Sequence, residues 1–347
     1  MGKDTKTGTV LKGILRYAVP LVVSIGLCWL LFTGIDFDEM LAIIREQCDM
    51  RWIVFGMIFA IGAQVCRAYR WRIQLRAIGV NPPIHALIYS IFGTYAVNLV
   101  FPRLGEVWRT GYIAQRQRAP FTAVFGSMVA DRLADTVAVA LILLFAFIVA
   151  SKAIIGYLTE NAGAYNPLIS LLESPWLWGG IAVVAAAFFG FMKLRSGNSA
   201  VTKIQKAFRE LWKGFAAIAH MRGKGWWLLL TAGMWACYFT QLYVSFYAFP
   251  FTAGLLSSDG PQVALVAFTL GSIAMGVPSN GGIGPWQWAV IFGLGIYGLP
   301  AAQAGAFANL SLGTTTLLTI FLGIITFIGI AIDKRNNNRK HKQITEK

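Results

Sequence analysis

Long apolar segments fill most of this chain and leave only short polar stretches between them. They occur near residues 14–35, 52–66, 84–101, 121–150, 176–192, 226–250, 261–279, 284–299 and 301–332. A helix needs about 20 apolar residues to cross ~30 Å of hydrocarbon. Charged residues make up 13% of the chain, against about 25% in ordinary soluble domains. These features exclude a disordered chain, a disulfide scaffold and a soluble globule. They predict an all-α polytopic membrane protein.

The basic residues are clustered between the apolar segments. The net charge of +15 would favour nucleic acid as a partner in a soluble chain, but here we expect anionic lipid headgroups instead. Lys and Arg number four in residues 3–16, four in 67–76, eight in 193–225 and six after Ile332. Because cytoplasmic loops carry the excess of Lys and Arg, both termini are predicted to be cytoplasmic. We therefore expect a multi-pass protein of the cytoplasmic (inner) membrane.

The turns within the apolar region predict two re-entrant hairpins. Segment 151–175 has only Lys152 and segment 251–260 has no Lys or Arg, so both are predicted to be external. Residues 77–150 therefore run from the cytoplasmic to the external side and must cross the membrane an odd number of times, yet they hold two apolar runs split by a turn at Pro102 and Gly105. The same conflict recurs around the turn 278–285. A hairpin at each turn resolves it and gives two inverted halves, about 10–150 and 176–335, each with about three spans. Residues 1–335 would form one transmembrane domain, followed by a short basic cytoplasmic tail, 336–347.

Other segments carry less specific signals. The first apolar segment lacks a cleavage pattern and is predicted to be an uncleaved anchor. Residues 200–219 have the pattern of an amphipathic helix on the inner leaflet, and 37–48 have that of a shorter acidic one outside. The four Cys and three His show no metal-ligand spacing, so we expect neither a metal nor a cofactor.

Six charged residues lie where charges are costly, in the first hairpin and the following span. They are Arg103, Glu106, Arg109, Asp131, Arg132 and Asp135. The first three are spaced by three residues, and the two aspartates are four apart on one helix face. A headgroup or proton-coupled site and a purely structural ion network both fit this pattern. Arg132 fits the structural role better.

The second turn is rich in glycine and carries no charge. Its candidate residues are Pro278, Asn280, Gly281, Gly282, Gly284 and Gln287. Glycines permit tight turning, and the free N–H groups at a helix start can hold an anion. Close helix packing by small residues explains the same glycines equally well. Because no Lys follows the turn, we do not expect nucleotide binding.

The motifs FPRLGEVWR (101–109), DRLAD (131–135) and PSNGGIG (278–284) resemble the flippase-like membrane family. That family includes the transmembrane region of bacterial lysylphosphatidylglycerol synthases, and the resemblance covers about residues 10–335. Asp131 stands where the family more often has Glu. Gln287 stands where an acid is common, so the resemblance implies no proton-carrying role for the second hairpin.

The resemblance implies movement of lipids between leaflets, so we expect a translocator of a phospholipid or a lipid-linked glycan. The alternatives are an integral-membrane transferase acting on a lipid carrier and a non-transporting accessory subunit of envelope synthesis. Only residues 333–347 follow the last apolar segment. We therefore expect no aminoacyltransferase domain and no enzyme. Expected partners are anionic or polyprenyl-linked lipids, with envelope-biosynthesis proteins or a second copy of the chain as further candidates.

Overall fold

A computed structural model describes residues 37–160 and 221–345, with isolated positions between 174 and 183 and side chains up to Asp333. The predicted first span, most of segment 176–192, the amphipathic helix 200–219 and the side chains of the basic tail lie outside the described residues.

The described part is helical and holds no strand, which confirms the all-α prediction there. Its helices are α1 (Phe37–Gln47), α2 (Met50–Ala77), α3 (Ile84–Val100), α4 (Leu104–Gln117), α5 (Phe121–Glu160), α6 (Lys224–Ser245), α7 (Pro250–Ser258), α8 (Gln262–Ala274), α9 (Pro285–Gly295) and α10 (Ala301–Thr345). Within these ranges α2, α5 and α10 are long and apolar enough to cross a membrane. The protein is therefore a helical membrane protein.

Three helices extend beyond their predicted ends. The prediction of a basic loop over 67–76 was wrong, because α2 continues through it to Ala77. No Gly or Pro occurs between Gly62 and Gly79 to end the helix. Helix α5 continues past a non-helical residue at Ala150 to Glu160, and α10 continues into the basic tail as far as Thr345. The predicted external loop 251–260 is also mostly helical, because α7 occupies it.

The first predicted hairpin is present as α3 and α4, joined by a turn at residues 101–103. Pro102 fixes one backbone angle of this turn, and Arg103 has a left-handed conformation with φ 64°. The Asn98 side chain accepts a hydrogen bond from the N–H of Gly105 at 2.8 Å. A Cβ atom at Gly105 would overlap the carbonyl oxygen of Thr94. Glycine at this position therefore lets the two arms approach closely.

The second predicted hairpin is present as α8 and α9. Its turn contains three glycines with positive φ, Gly281, Gly282 and Gly284. A Cβ atom at Gly281 would lie 2.5 Å from the side chain of Leu99, at the end of the first hairpin. Pro278 is exposed beside these glycines. The glycines are thus needed both for the backbone conformation and for the close approach of the two hairpins.

Each hairpin packs into its own buried apolar cluster. One cluster surrounds the first hairpin and includes Trp71, Leu87 and Ile113. The other surrounds the second hairpin and includes Phe246 and Phe307. Helices α2 and α6 pack along each other, and α10 packs against both α3 and α9. At 1.5 Å per residue the four arms measure roughly 17–26 Å, less than the hydrocarbon thickness. Their re-entrant placement and the inverted relation of the two halves stay predictions.

We predict that Gly105→Ala destabilises the protein by roughly 1–3 kcal/mol, because the new methyl group forces α3 and α4 apart. Gly111→Ala is the matched control in the same helix. No side chain or neighbouring backbone lies within 4 Å of a Cβ atom there, so it should be neutral or stabilise by up to ~1 kcal/mol. Unfolding in detergent micelles measures both effects. Equal stability of the two variants would show that the close approach at Gly105 contributes nothing.

Candidate functional site

Two arginines of α2 face two aspartates of α5 inside the protein. Arg67 Nη1 donates to Asp135 Oδ2 at 2.7 Å, and Arg70 Nη2 donates to Asp131 Oδ1 at 2.5 Å and to Asp135 Oδ1 at 2.7 Å. All four residues are buried. Because an unpaired charge at such a depth would cost several kcal/mol, these ion pairs fix α2 against α5.

Arg109 of α4 reaches the same aspartate more weakly. Its Nη2 lies 3.4 Å from Asp131 Oδ2, and its side chain is fully buried. The guanidinium carbon lies 4.5 Å from the ring centroid of Trp71, a cation–π geometry. Three arginines from two helices, Arg67, Arg70 and Arg109, therefore lie within 4.0 Å of the carboxylate of Asp131.

A second pair joins α4 to α5 on the tip side of Arg109. Arg132 Nη2 lies 3.1 Å from Glu106 Oε1, and Arg132 Nη1 lies 3.8 Å from Asp135. Asn98 Nδ2 also donates to Glu106, at 3.3 Å. The arginine–carboxylate cluster therefore has seven members, Arg67, Arg70, Glu106, Arg109, Asp131, Arg132 and Asp135. Four arginines against three carboxylates leave a formal charge of +1.

Five of the six charged residues predicted from the sequence belong to this cluster, and Arg103 does not. Its side chain is exposed and extends to the second hairpin. There Nη2 donates to the backbone oxygens of Met275 at 3.1 Å and Gly276 at 2.5 Å. Arg103 therefore lies outside the arginine–carboxylate cluster and binds the second hairpin instead.

The main partners of the aspartates were missed. Arg67 and Arg70 were assigned to a cytoplasmic loop because clustered arginines are typical of such loops. The spacing of Arg67 and Arg70 in the sequence was a signal that could have identified them. They are three apart on an uninterrupted helix, as Asp131 and Asp135 are four apart on another, so each pair occupies one helix face.

Several buried donors of the cluster have no hydrogen-bond acceptor among the described residues. They are Nε and Nη1 of Arg70, the same two atoms of Arg109, Nε of Arg67 and Nε of Arg132. The side-chain amide of Gln74, one helical turn beyond Arg70, is also buried without a partner. Buried donors in proteins are normally satisfied. This end of the cluster is therefore suited to an anion with several oxygen acceptors.

The polar side chain of Gln287 has a structural role in the second hairpin. Gln287 Oε1 accepts from the N–H of Gly284 at 2.8 Å and so caps α9. Its amide nitrogen donates to Asn309 on α10. Asn280 lies in the turn, where its backbone carbonyl accepts from the N–H of Ile283 at 3.2 Å, while its side-chain oxygen is buried without a hydrogen-bond partner among the described residues. The position at which the resemblance has an acid thus serves here as a helix cap.

A separate ion pair anchors the far end of the first hairpin. Arg116 of α4 lies 2.5 Å from Asp333 of α10. His85 Nε2, at the start of α3, lies 3.6 Å from the same carboxylate. Helix α4 is therefore held at its end by Arg116, in its middle by Arg109 and in its first turn by Glu106.

Two short helix hairpins in contact, beside long apolar helices joined by a buried arginine–carboxylate cluster, define a helical membrane domain built around a polar interior site. Residues 17–323 match the model of the lysylphosphatidylglycerol synthase TM region. The chain therefore belongs to this family, which confirms the resemblance read from the motifs. Curated proteins give no match.

We predict that Asp131→Asn lowers the free energy of unfolding by about 3–5 kcal/mol, because it leaves buried arginines without their shared counter-charge. Arg51→Gln is the control. Arg51 pairs with Asp49 with 93% of its side chain exposed, so its loss should cost under about 1 kcal/mol. Unfolding in detergent measures both variants.

The double variant Asp131→Asn/Arg70→Gln tests the cause of the loss. If the loss reflects uncompensated positive charge, removal of one arginine should restore part of the stability. A double variant as unstable as the sum of the two single variants would contradict that explanation.

Proposed function

We propose that this protein moves a phospholipid or a lipid-linked glycan between the leaflets of the cytoplasmic membrane, without chemical transformation. The observation that carries the proposal is the buried cluster with its excess positive charge and unpartnered donors on Arg70 and Arg109. Intramembrane charges usually mark a substrate or ion path. The membership of a lipid-related membrane family supports a lipid as the substrate.

Arg109 is the residue best placed to exchange partners. Its contact with Asp131 is long at 3.4 Å, whereas Arg70 holds the same carboxylate at 2.5 Å. When Arg109 turns toward a phosphate, Asp131 keeps Arg70 as its partner. A guanidinium binds carboxylate and phosphate in the same forked geometry. Arg109 therefore binds the headgroup phosphate. The phosphate is released when Arg109 pairs with Asp131 again.

Trp71 keeps Arg109 in place during this exchange. The ring lies against the guanidinium, and its Nε1 donates to Ser127 of α5 at 3.1 Å, which fixes the indole. The planar face of the guanidinium is thus occupied while its edge, with Nε and Nη1, stays free for oxygen acceptors. Arg67, paired with Asp135 at 2.7 Å, maintains the helix contact.

The hairpins supply the route in this proposal. Arms shorter than the bilayer, entering from opposite sides, place irregular backbone near the midplane, where it must line a cavity or be covered by protein. Inverted halves that rock about such a site give alternating access. The headgroup then passes between the hairpins while the acyl chains remain in lipid. Both anionic phospholipids and polyprenyl-linked lipids carry the phosphate that Arg109 recognises.

We predict that Arg109→Gln abolishes lipid translocation by folded protein, because the neutral amide cannot replace the forked guanidinium. The assay uses the purified protein in liposomes with fluorescent phospholipids, and external quenching reports leaflet crossing. Arg118→Gln is the matched control, since Arg118 lies at the exposed end of the same helix. It should translocate at the wild-type rate.

Wild-type translocation by folded Arg109→Gln protein would overturn the assignment of Arg109 to the headgroup. If wild-type protein moves no bulk phospholipid, the same assay with a polyprenyl-phosphate tracer decides between the two lipid classes. Movement of neither tracer would overturn the proposed function.

A further inference from the structure

The two hairpin tips touch through one polar and one apolar contact. Arg103 donates from Nη2 to the backbone oxygens of Met275 and Gly276, which directly follow α8. Gly281 packs against Leu99, which lies one turn before the tip of α3. These five residues are called the tip contact below. It joins the first hairpin to the second at the point where both chains turn.

The polar half of the tip contact pairs a full charge with neutral acceptors. Within the part of the chain that is described, the hydrogen-bond acceptors of Arg103 are two backbone carbonyls. The side chain is also exposed. Hydrogen bonds between ionised partners are roughly twice as strong as neutral ones. An anionic oxygen that reaches this guanidinium therefore binds it more strongly than the two backbone carbonyls do.

The backbone of Arg103 shows that the tip is specifically shaped. Its φ of 64° is left-handed, a conformation that places the Cβ atom of a non-glycine residue too close to the following carbonyl oxygen. A glycine or asparagine would adopt it more easily. The residue found here is an arginine, whose side chain reaches the other hairpin.

We propose that Arg103 is a positioning residue that holds the hairpin tips together, and that the phosphate of a lipid headgroup separates them by taking over its guanidinium. The identity of the ligand as a lipid rests on the proposed function, whereas the closing role of Arg103 does not. The tip contact then keeps the route shut until a lipid is present.

The position of Arg103 connects this step to the cluster. Arg103, Glu106 and Arg109 are spaced by three residues, so each is roughly 4.5 Å further along the axis of α4. A phosphate released by Arg103 therefore meets Arg109 about two turns deeper. Glu106 lies between the two arginines and is held by Asn98 and Arg132. Its negative charge disfavours binding of the phosphate there.

The test measures the distance between the tips by pulsed electron resonance. Spin labels are placed at Val100→Cys and Val277→Cys, two exposed positions on opposite hairpins. Cys28, Cys48, Cys66 and Cys237 are replaced by Ala in this background. The samples are detergent micelles alone, micelles with phosphatidylglycerol, micelles with a glucosyl diacylglycerol of the same acyl chains, and micelles with inorganic phosphate.

The labelled protein should show one short distance in micelles and in the glycolipid. Phosphatidylglycerol should add a second, longer distance. Arg103→Asn tolerates the left-handed backbone but lacks the guanidinium, so it should show the longer distance in every sample. Arg118→Asn, at the left-handed residue that ends α4 with φ 51°, is the matched control and should behave like the unsubstituted protein.

Several results would overturn the proposal. An unchanged short distance in Arg103→Asn would show that Arg103 does not hold the tips. Absence of the longer distance with phosphatidylglycerol would show that a lipid phosphate does not separate them. An equal effect of the glycolipid or of inorganic phosphate would overturn the assignment to a lipid phosphate. Failure of the translocator proposal is seen separately, as absent lipid movement in liposomes while the distance response persists.

Discussion

The carboxylate of Asp131 is the group on which the rest of the interior depends. It is fully buried and lies within 4.0 Å of arginines from two different helices. Burying even one charge is expensive, and each of these groups is tolerated only because the others are present. The cluster therefore fixes how α2, α4 and α5 can be arranged. Hydrophobic packing alone would permit them to slide, since lipid is as apolar as their surfaces.

The contacts along α4 differ in strength, and this difference determines where the helix is displaced most easily. Its end is held by the ion pair of Arg116 with Asp333 at 2.5 Å and its first turn by Glu106 with Arg132 at 3.1 Å. Just before the helix, the acceptors that the described residues offer to Arg103 are neutral backbone carbonyls. Displacement is therefore easiest at the tip, with the Arg116 end as the fixed point. Under the proposal that a lipid phosphate separates the tips, an anion is the chemical signal to which that tip responds.

The sequence predicted the helix hairpins well because turns have local causes. Pro102 and the glycines at 281, 282 and 284 break helices through their own backbone chemistry. The partners of Asp131 and Asp135 were not predictable in the same way, since Arg67 and Arg70 resemble loop residues until their counter-charges are known. The end of α2 was missed for that reason. The role of Arg103 was also missed, because its acceptors are backbone atoms about 170 positions away, which leave no side-chain signature.

The two hairpins are alike in shape but differ in charge. The first carries Arg103, Glu106 and Arg109, whereas the second carries a neutral Gln287 that caps α9 and binds α10. Under the proposed function, a headgroup that passes between them meets its electrostatic partners on one side only. The second hairpin offers carbonyls and glycine backbone, so in this proposal it restrains the headgroup by shape and does not compete for its phosphate. The same proposal has the phosphate follow α4 from Arg103 to Arg109 without a second cation to trap it.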